Sequence, residues 1–108
     1  MALPKANRLK DRKDFELVFK KGNAVKGNFL FIKTIGNEGL ITRFGFVVPA
    51  KIIPKAVDRN RIKRVFSNTA KTLISKGFKG YEIIVILNKK GRESVILAEF
   101  EDLLIKLK

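Results

Sequence analysis

The chain has 108 residues, with 24 Lys and Arg against 10 Asp and Glu, a formal net charge of +14 and no histidine. A surplus of that size draws polyanions, because each phosphate contact releases condensed counterions, and nucleic acid is the favoured partner. The absence of cysteine excludes disulfide frameworks and thiolate metal sites, and a reducing compartment suits the chain. The longest apolar stretch, residues 83–87, is far too short to span a bilayer, and no long apolar run follows the N-terminal charges. A soluble cytoplasmic protein with no membrane partner is expected. Hydrophobic residues make up 45% of the chain and include nine Phe, enough for a modest core that opposes the charge repulsion. With no repeat and no Pro/Ser-rich linker, one domain over residues 1–108 is expected.

In chain order, residues 11–21 place Phe15, Val18 and Phe19 at helical spacing, and Gly22-Asn23 closes that helix. Residues 28–35 alternate as a strand does, with Phe29, Phe31, Lys33 and Ile35 on one side and Leu30, Ile32 and Thr34 on the other. Residues 36–39 carry turn chemistry, and residues 40–48 form a second extended run expected to lie antiparallel to the first. Pro49 and Pro54 bracket an irregular stretch. The best-signalled element is a helix over residues 58–76, with Asp58 to cap its first amides and Gly77 to stop it. Its apolar period puts Ile62, Val65, Phe66, Thr69, Ala70 and Leu73 on one stripe. At about 100° per residue, Asn60, Arg64 and Lys71 point away from that stripe, Arg59 and Lys63 flank one side, and Arg61 flanks the other. Residues 81–87 read as a strand, and their nearly continuous apolar run implies burial on both faces and a central place in the sheet. From residue 94 onward Ile96, Phe100, Leu103, Leu104 and Leu107 repeat helically. The predicted class is α+β, a small two-layer α/β sandwich in the order helix-strand-strand-helix-strand-helix, which one further short strand could extend.

The block from residue 51 to residue 64 gathers Lys51, Lys55, Arg59, Arg61, Lys63 and Arg64 around Asn60. Its bland reading is a solvated helix face. A helix kept merely soluble would interleave acids one turn from its bases, yet Asp58 is the only acid between residues 51 and 71. Arginine suits phosphate because its planar fork can hold two oxygens at once, while lysine supplies a mobile point charge. Asp58 near the positive helix end reduces the helix's own pull on phosphate and leaves that work to side chains. A second constellation interleaves Arg8, Lys10, Arg12, Lys13, Lys20 and Lys21 with Phe15 and Phe19. Such aromatic faces can stack on unpaired bases, but two Phe four apart on a short amphipathic helix are more often core than platform, and the core is the stronger reading of these residues. The same two readings hold for Phe29 and Phe31, since one sheet face must be covered and the other can stay open to a ligand.

No active site is legible. General acid–base cleavage of RNA most naturally uses histidine, and metal-assisted hydrolysis needs clustered carboxylates. Glu93, Glu99, Glu101 and Asp102 fall together on the last helix and read as a solvated face, while Asp11 and Asp14 read as helix-start charges. No catalytic residue and no metal ligand is expected in this chain.

The residues resemble a known family, the protein subunit of bacterial-type ribonuclease P. The resemblance rests on the run from Ala56 to Arg64, which is similar to the family's Arg-Asn-Arg signature, and on Lys51 before it. Upstream, Asn7-Arg8-Leu9-Lys10 followed by Asp14-Phe15, Val18-Phe19 and Gly22 is similar to the N-terminal pattern, and Gly45-Phe46-Val47-Val48 stands in the place of the second strand. Together these cover residues 7–64. Ala50 and Pro49 depart from the pattern, and Ser67 replaces a basic residue commonly found one turn beyond Arg64, so the crest should weaken there unless Lys71 compensates.

The resemblance implies a non-catalytic partner to a catalytic RNA that removes the 5′ leader of precursor tRNA by hydrolysis, with the Mg²⁺ held mainly by the RNA and none bound tightly by this chain. It implies that Lys51, Arg59, Asn60, Arg61, Lys63 and Arg64 face the RNA subunit. It also implies that the leader runs between the first helix and the sheet, which would engage Arg8, Phe15, Phe19, Phe31 and Lys33. No obligate protein partner is implied. The family fold further implies a crossover of the rare left-handed sense through the basic helix, against the usual right-handed rule. The competing reading is a structural ribosomal protein that binds rRNA without processing it. A DNA-binding regulator ranks behind both, because no helix-turn-helix spacing precedes the basic helix.

Overall fold

A computed structural model describes residues 3–38 and 41–106. After a 3₁₀ turn at Lys5–Asn7 come α1 (Arg12–Lys21), β1 (Asn23–Lys26), β2 (Leu30–Gly36), β3 (Arg43–Val47), α2 (Ala56–Ser75), β4 (Tyr81–Leu87) and α3 (Glu93–Ile105). The expected α+β class and order are observed, with β1 as the further short strand. The turn over residues 36–39, the start of the run at Leu40, and Leu107 lie partly or wholly outside the described residues.

The sheet order is β1-β2-β4-β3. β3 therefore does not form a hairpin with β2, as adjacency in sequence suggested; β4 lies between them, antiparallel to β2 and parallel to β3. The two early strands do run in opposite directions, and the cause of their separation is burial. Ile83, Ile84, Val85 and Leu87 are all fully buried, which only an interior strand covered on both faces can provide. Parallel pairing of β3 with β4 requires a crossover, and α2 supplies it.

One face of the sheet carries Leu30, Ile32, Phe44, Ile83, Val85 and Leu87 into the main core under α2 and α3. There Phe100 packs edge-on against Phe44, Phe46 and Phe66, at centroid separations of 6.3, 6.2 and 5.2 Å. The other face meets α1 in a smaller cluster built from Leu9, Val18 and Ile84. Phe29 precedes β2 and packs with the main core, so it does not share the face of Phe31 as strand alternation predicted.

Helix ends differ in detail from expectation. The cap of α2 is Lys55, without a side-chain bond, and Asp58 stands in the first turn. An acid there still opposes the positive helix end. Gly77 has φ of +93°, the left-handed conformation that stops α2. Gly22 ends α1 for another reason: its φ is −73°, and a Cβ there would come within 2.3 Å of the Val18 carbonyl oxygen and 2.9 Å of that of Thr34.

Glu99 is not part of a solvated face. Its carboxylate accepts the amides of Phe29 and Leu30, each at 2.9 Å, and lies so close to Gly27 that a Cβ at that glycine would collide with it. α3 thereby fixes the turn from β1 into β2. Glu99→Ala is expected to cost about 1–3 kcal/mol, because it strands two amides. Urea unfolding checks the loss, and an unchanged midpoint would show that water replaces the carboxylate without penalty.

Candidate nucleic-acid interface

The basic helix presents its charges unevenly. Asn60, Arg61 and Arg64 are exposed on α2, and Lys51 is exposed on the loop before it. Arg59 and Lys63 are half-buried. Arg59 precedes the buried Phe66 by nearly two full turns and so shares its inward face. Its Nη1 donates to the carbonyls of Ile53 and Pro54, at 3.0 and 2.7 Å, tying down the loop that carries Lys51. Arg59 thus positions one part of the crest as well as belonging to it. Ser67 does not lie on the crest: it is fully buried, and its hydroxyl donates to the Lys63 carbonyl at 2.8 Å. No gap opens in the charge surface there, since the position turns inward toward the layer that Ala70 also enters.

The second region is the sheet face that α1 crosses. Strand register sets Lys26, Phe31, Ile86 and Val47 in one row, and Ala24, Lys33, Ile84 and Gly45 in the next. α1 is anchored over the second row and beyond it. The Phe15 ring lies on Gly45, where a Cβ would come within 2.5 Å of Cζ, and Val18 packs on Ile84. Arg43 clamps the start of α1 to the sheet, with Nη1 3.1 Å from Asp14 and Nη2 2.8 Å from Glu82. The Glu82 hydrogen bond does most to raise the Arg43 pKa above its ordinary value, against an opposing pull from burial. A raised pKa in the fold adds stability that is present below the unfolded value and lost only in strong alkali, so the clamp's cation persists at any working pH.

In the first row Ile86 and Val47 are half-buried against the cluster of Leu9, Val18 and Ile84, while Phe31 is half-buried outside it and Lys26 is exposed. Lys33 is half-buried in the adjoining row, and a lysine so placed lays its stem on the sheet and carries its ammonium to the edge. Phe19, 41% exposed, projects one turn after the anchored Phe15, so the two Phe that the sequence treated alike have different settings. Arg8 lies at the far edge: its backbone bridges to Phe44, and its Nε donates to the Leu3 carbonyl at 2.8 Å. It fastens the N-terminal segment along β3 rather than standing beside Phe31.

The sequence did not single out Arg43, Glu82 or Lys26, nor the place of Gly45 beneath Phe15. Of these only Gly45 left a signal, as a glycine inside a strand, which marks a close approach by another group. Among the described residues no three His, Cys, Asp or Glu side chains gather as a metal-binding group.

These features define a small, strongly basic α+β protein with an exposed basic helix on one side of its sheet and, on the other, a half-buried row that carries Phe31 beside α1. A family model for ribonuclease P matches residues 3–108. The ribonuclease P protein component of a Picosynechococcus strain is 32% identical over the whole chain and 90% of its own length. That of Fusobacterium nucleatum is 34% identical over 90% of this chain and 86% of its own. Among solved structures, the RNase P protein of Staphylococcus aureus aligns with a TM-score of 0.83 at 29% identity, covering 96% of this chain and 97% of its own. The RNase P protein from Thermotoga maritima aligns at 0.80 and 27% identity, covering 94% and 97%. The chain belongs to the ribonuclease P protein family, and its function is that of a ribonuclease P protein component. The resemblance read from the Arg-Asn-Arg run is borne out, and the ribosomal reading falls.

Proposed function

We propose that the chain docks on the catalytic RNA through Lys51, Asn60, Arg61 and Arg64, with Arg59 and Lys63 beneath them, and holds the 5′ leader of precursor tRNA along the row of Phe31 with Phe15, Phe19 and Lys33. The observation that supports this reading is the separation of the two surfaces. α2 packs on one sheet face and the Phe31 row lies on the other, so one small protein can touch two RNA segments at once. Arg8 serves indirectly, by fastening the segment that leads into α1. Hydrolysis belongs to the RNA, and so do the Mg²⁺ ions, which would supply the nucleophile and stabilise the leaving oxygen there. Four of this chain's ten acids have protein partners of their own: Asp14 and Glu82 hold Arg43, Glu93 meets Arg61, and Glu99 accepts two amides. No described helix is long and apolar enough to cross a membrane, and the reading places the protein in the cytoplasm with its tRNA precursors.

Reconstitution tests the proposal. Adding the protein to a ribonuclease P RNA at low magnesium should accelerate leader removal, and no acceleration would sink it. Phe15→Ala and the less buried Phe19→Ala should weaken precursor tRNA binding by roughly five- to fiftyfold if each stacks on a leader base, and leave mature tRNA unaffected. Equal losses on both substrates would return these rings to a structural role.

A further inference from the structure

Between the starts of α2 and α3 lies a pocket of about 250 Å³ that the docking reading leaves unused. Ile62, Val65, Phe66 and Leu97 line it, and the charged residues beside them are two acids, Asp58 and Glu93, and two bases, Arg61 and Lys90. Ile53 and Pro54 close another side, and these are the residues whose carbonyls Arg59 pins. The cavity is therefore pre-shaped by the same arginine that steadies the crest. We propose that it receives one unpaired, amino-bearing nucleobase of the RNA that docks on α2, an assignment that rests on the docking reading above.

Three observations carry the assignment. Apolar walls of this kind suit a flat ring, and the two carboxylates beside them are acceptors with no donor of their own, fitted to an exocyclic amino group of adenine, cytosine or guanine. Uracil presents carbonyl oxygens on both sides of its one donor and meets them poorly. Second, Arg61 belongs to both surfaces: it lines the pocket and is exposed on the flank of α2 next to the crest, so a strand lying on the crest passes the pocket mouth. Third, the ion pair across the mouth is loose. Arg61 Nη2 lies 3.4 Å from Glu93, with the side chains 69% and 41% exposed. Such a pair holds weakly, so Arg61 can turn to the phosphate of the entering nucleotide and release Glu93 to its base.

The test compares wild-type protein with Val65→Phe, which fills the pocket, and Arg64→Ala, which removes only crest charge. Each is titrated into ribonuclease P RNA and probed with dimethyl sulfate and kethoxal at base-pairing edges. One adenine, cytosine or guanine should be protected by wild-type protein and by Arg64→Ala at saturation, and released by Val65→Phe, whose affinity should fall roughly five- to fiftyfold. If Arg64→Ala weakens binding while Val65→Phe changes neither affinity nor protection, the pocket assignment is overturned and docking stands. If neither variant weakens binding, the docking reading itself fails. Should Val65→Phe not fold, an abasic substitution at the protected nucleotide decides instead. A comparable loss with wild-type protein supports the pocket, and no loss, or no protected base at all, overturns it.

Discussion

Arg64→Glu is expected to weaken binding of the ribonuclease P RNA by at least about tenfold at moderate salt, and to lower the slope of log affinity against log salt by about one for each phosphate that the helix no longer neutralises. Arg64 is exposed on the outward face of α2, so thermal unfolding of the variant should match that of the parent. Arg59→Ala should behave differently. It removes a charge, and it also frees the loop holding Lys51 by deleting bonds to Ile53 and Pro54, so both RNA affinity and unfolding midpoint should drop. Filter binding over a salt series with parallel melting curves separates the two. If Arg64→Glu left the salt slope unchanged, the crest would not be meeting phosphates.

The largest stability effect is expected at Phe100. Its ring is fully buried and joins α3 to both β3 and α2 through Phe44, Phe46 and Phe66. Phe100→Ala should cost about 3–5 kcal/mol from lost transfer energy and the cavity left behind. A domain of this size has a total stability of order 5–15 kcal/mol, so the variant sits near the edge of folding at 37 °C. Urea unfolding monitored through the single tyrosine measures it, and a loss below about 1 kcal/mol would mean that the neighbouring rings collapse into the space.

The sequence carried the long-period features well. The stripe of α2, the buried run of β4 and the repeat of α3 each rest on several residues agreeing with one period, and all three elements stand where that period put them. It carried poorly whatever depends on which distant segment lies alongside. β1 is four residues with Lys26 and Asn23 among them, too short and polar to register as a strand. The intrusion of β4 between β2 and β3 follows from where its burial can be satisfied, which adjacency along the chain hides. Ser67 shows the same limit on a smaller scale: a polar residue near a charged crest suggests exposure, but the hydroxyl satisfies itself on the preceding turn and lets the position be buried. At the candidate site, the residue types of the crest were legible and their division of labour was not. That Arg59 turns inward depends on the loop it meets, and that Phe15 and Phe19 differ depends on Gly45 lying beneath only one of them.

The position of β4 also has a consequence in time. The strand that pairs β3 and the inner edge of β2 spans Tyr81–Leu87, late in the order of synthesis, and the helix that bears Phe100 follows it. While the chain is being made, two apolar strands therefore wait with unpaired edges, and the basic helix emerges before the sheet that orients it exists. A nascent chain in that condition is open to aggregation, and to premature capture by any nearby RNA, until the last quarter of the sequence leaves the ribosome and the non-local pairings close together.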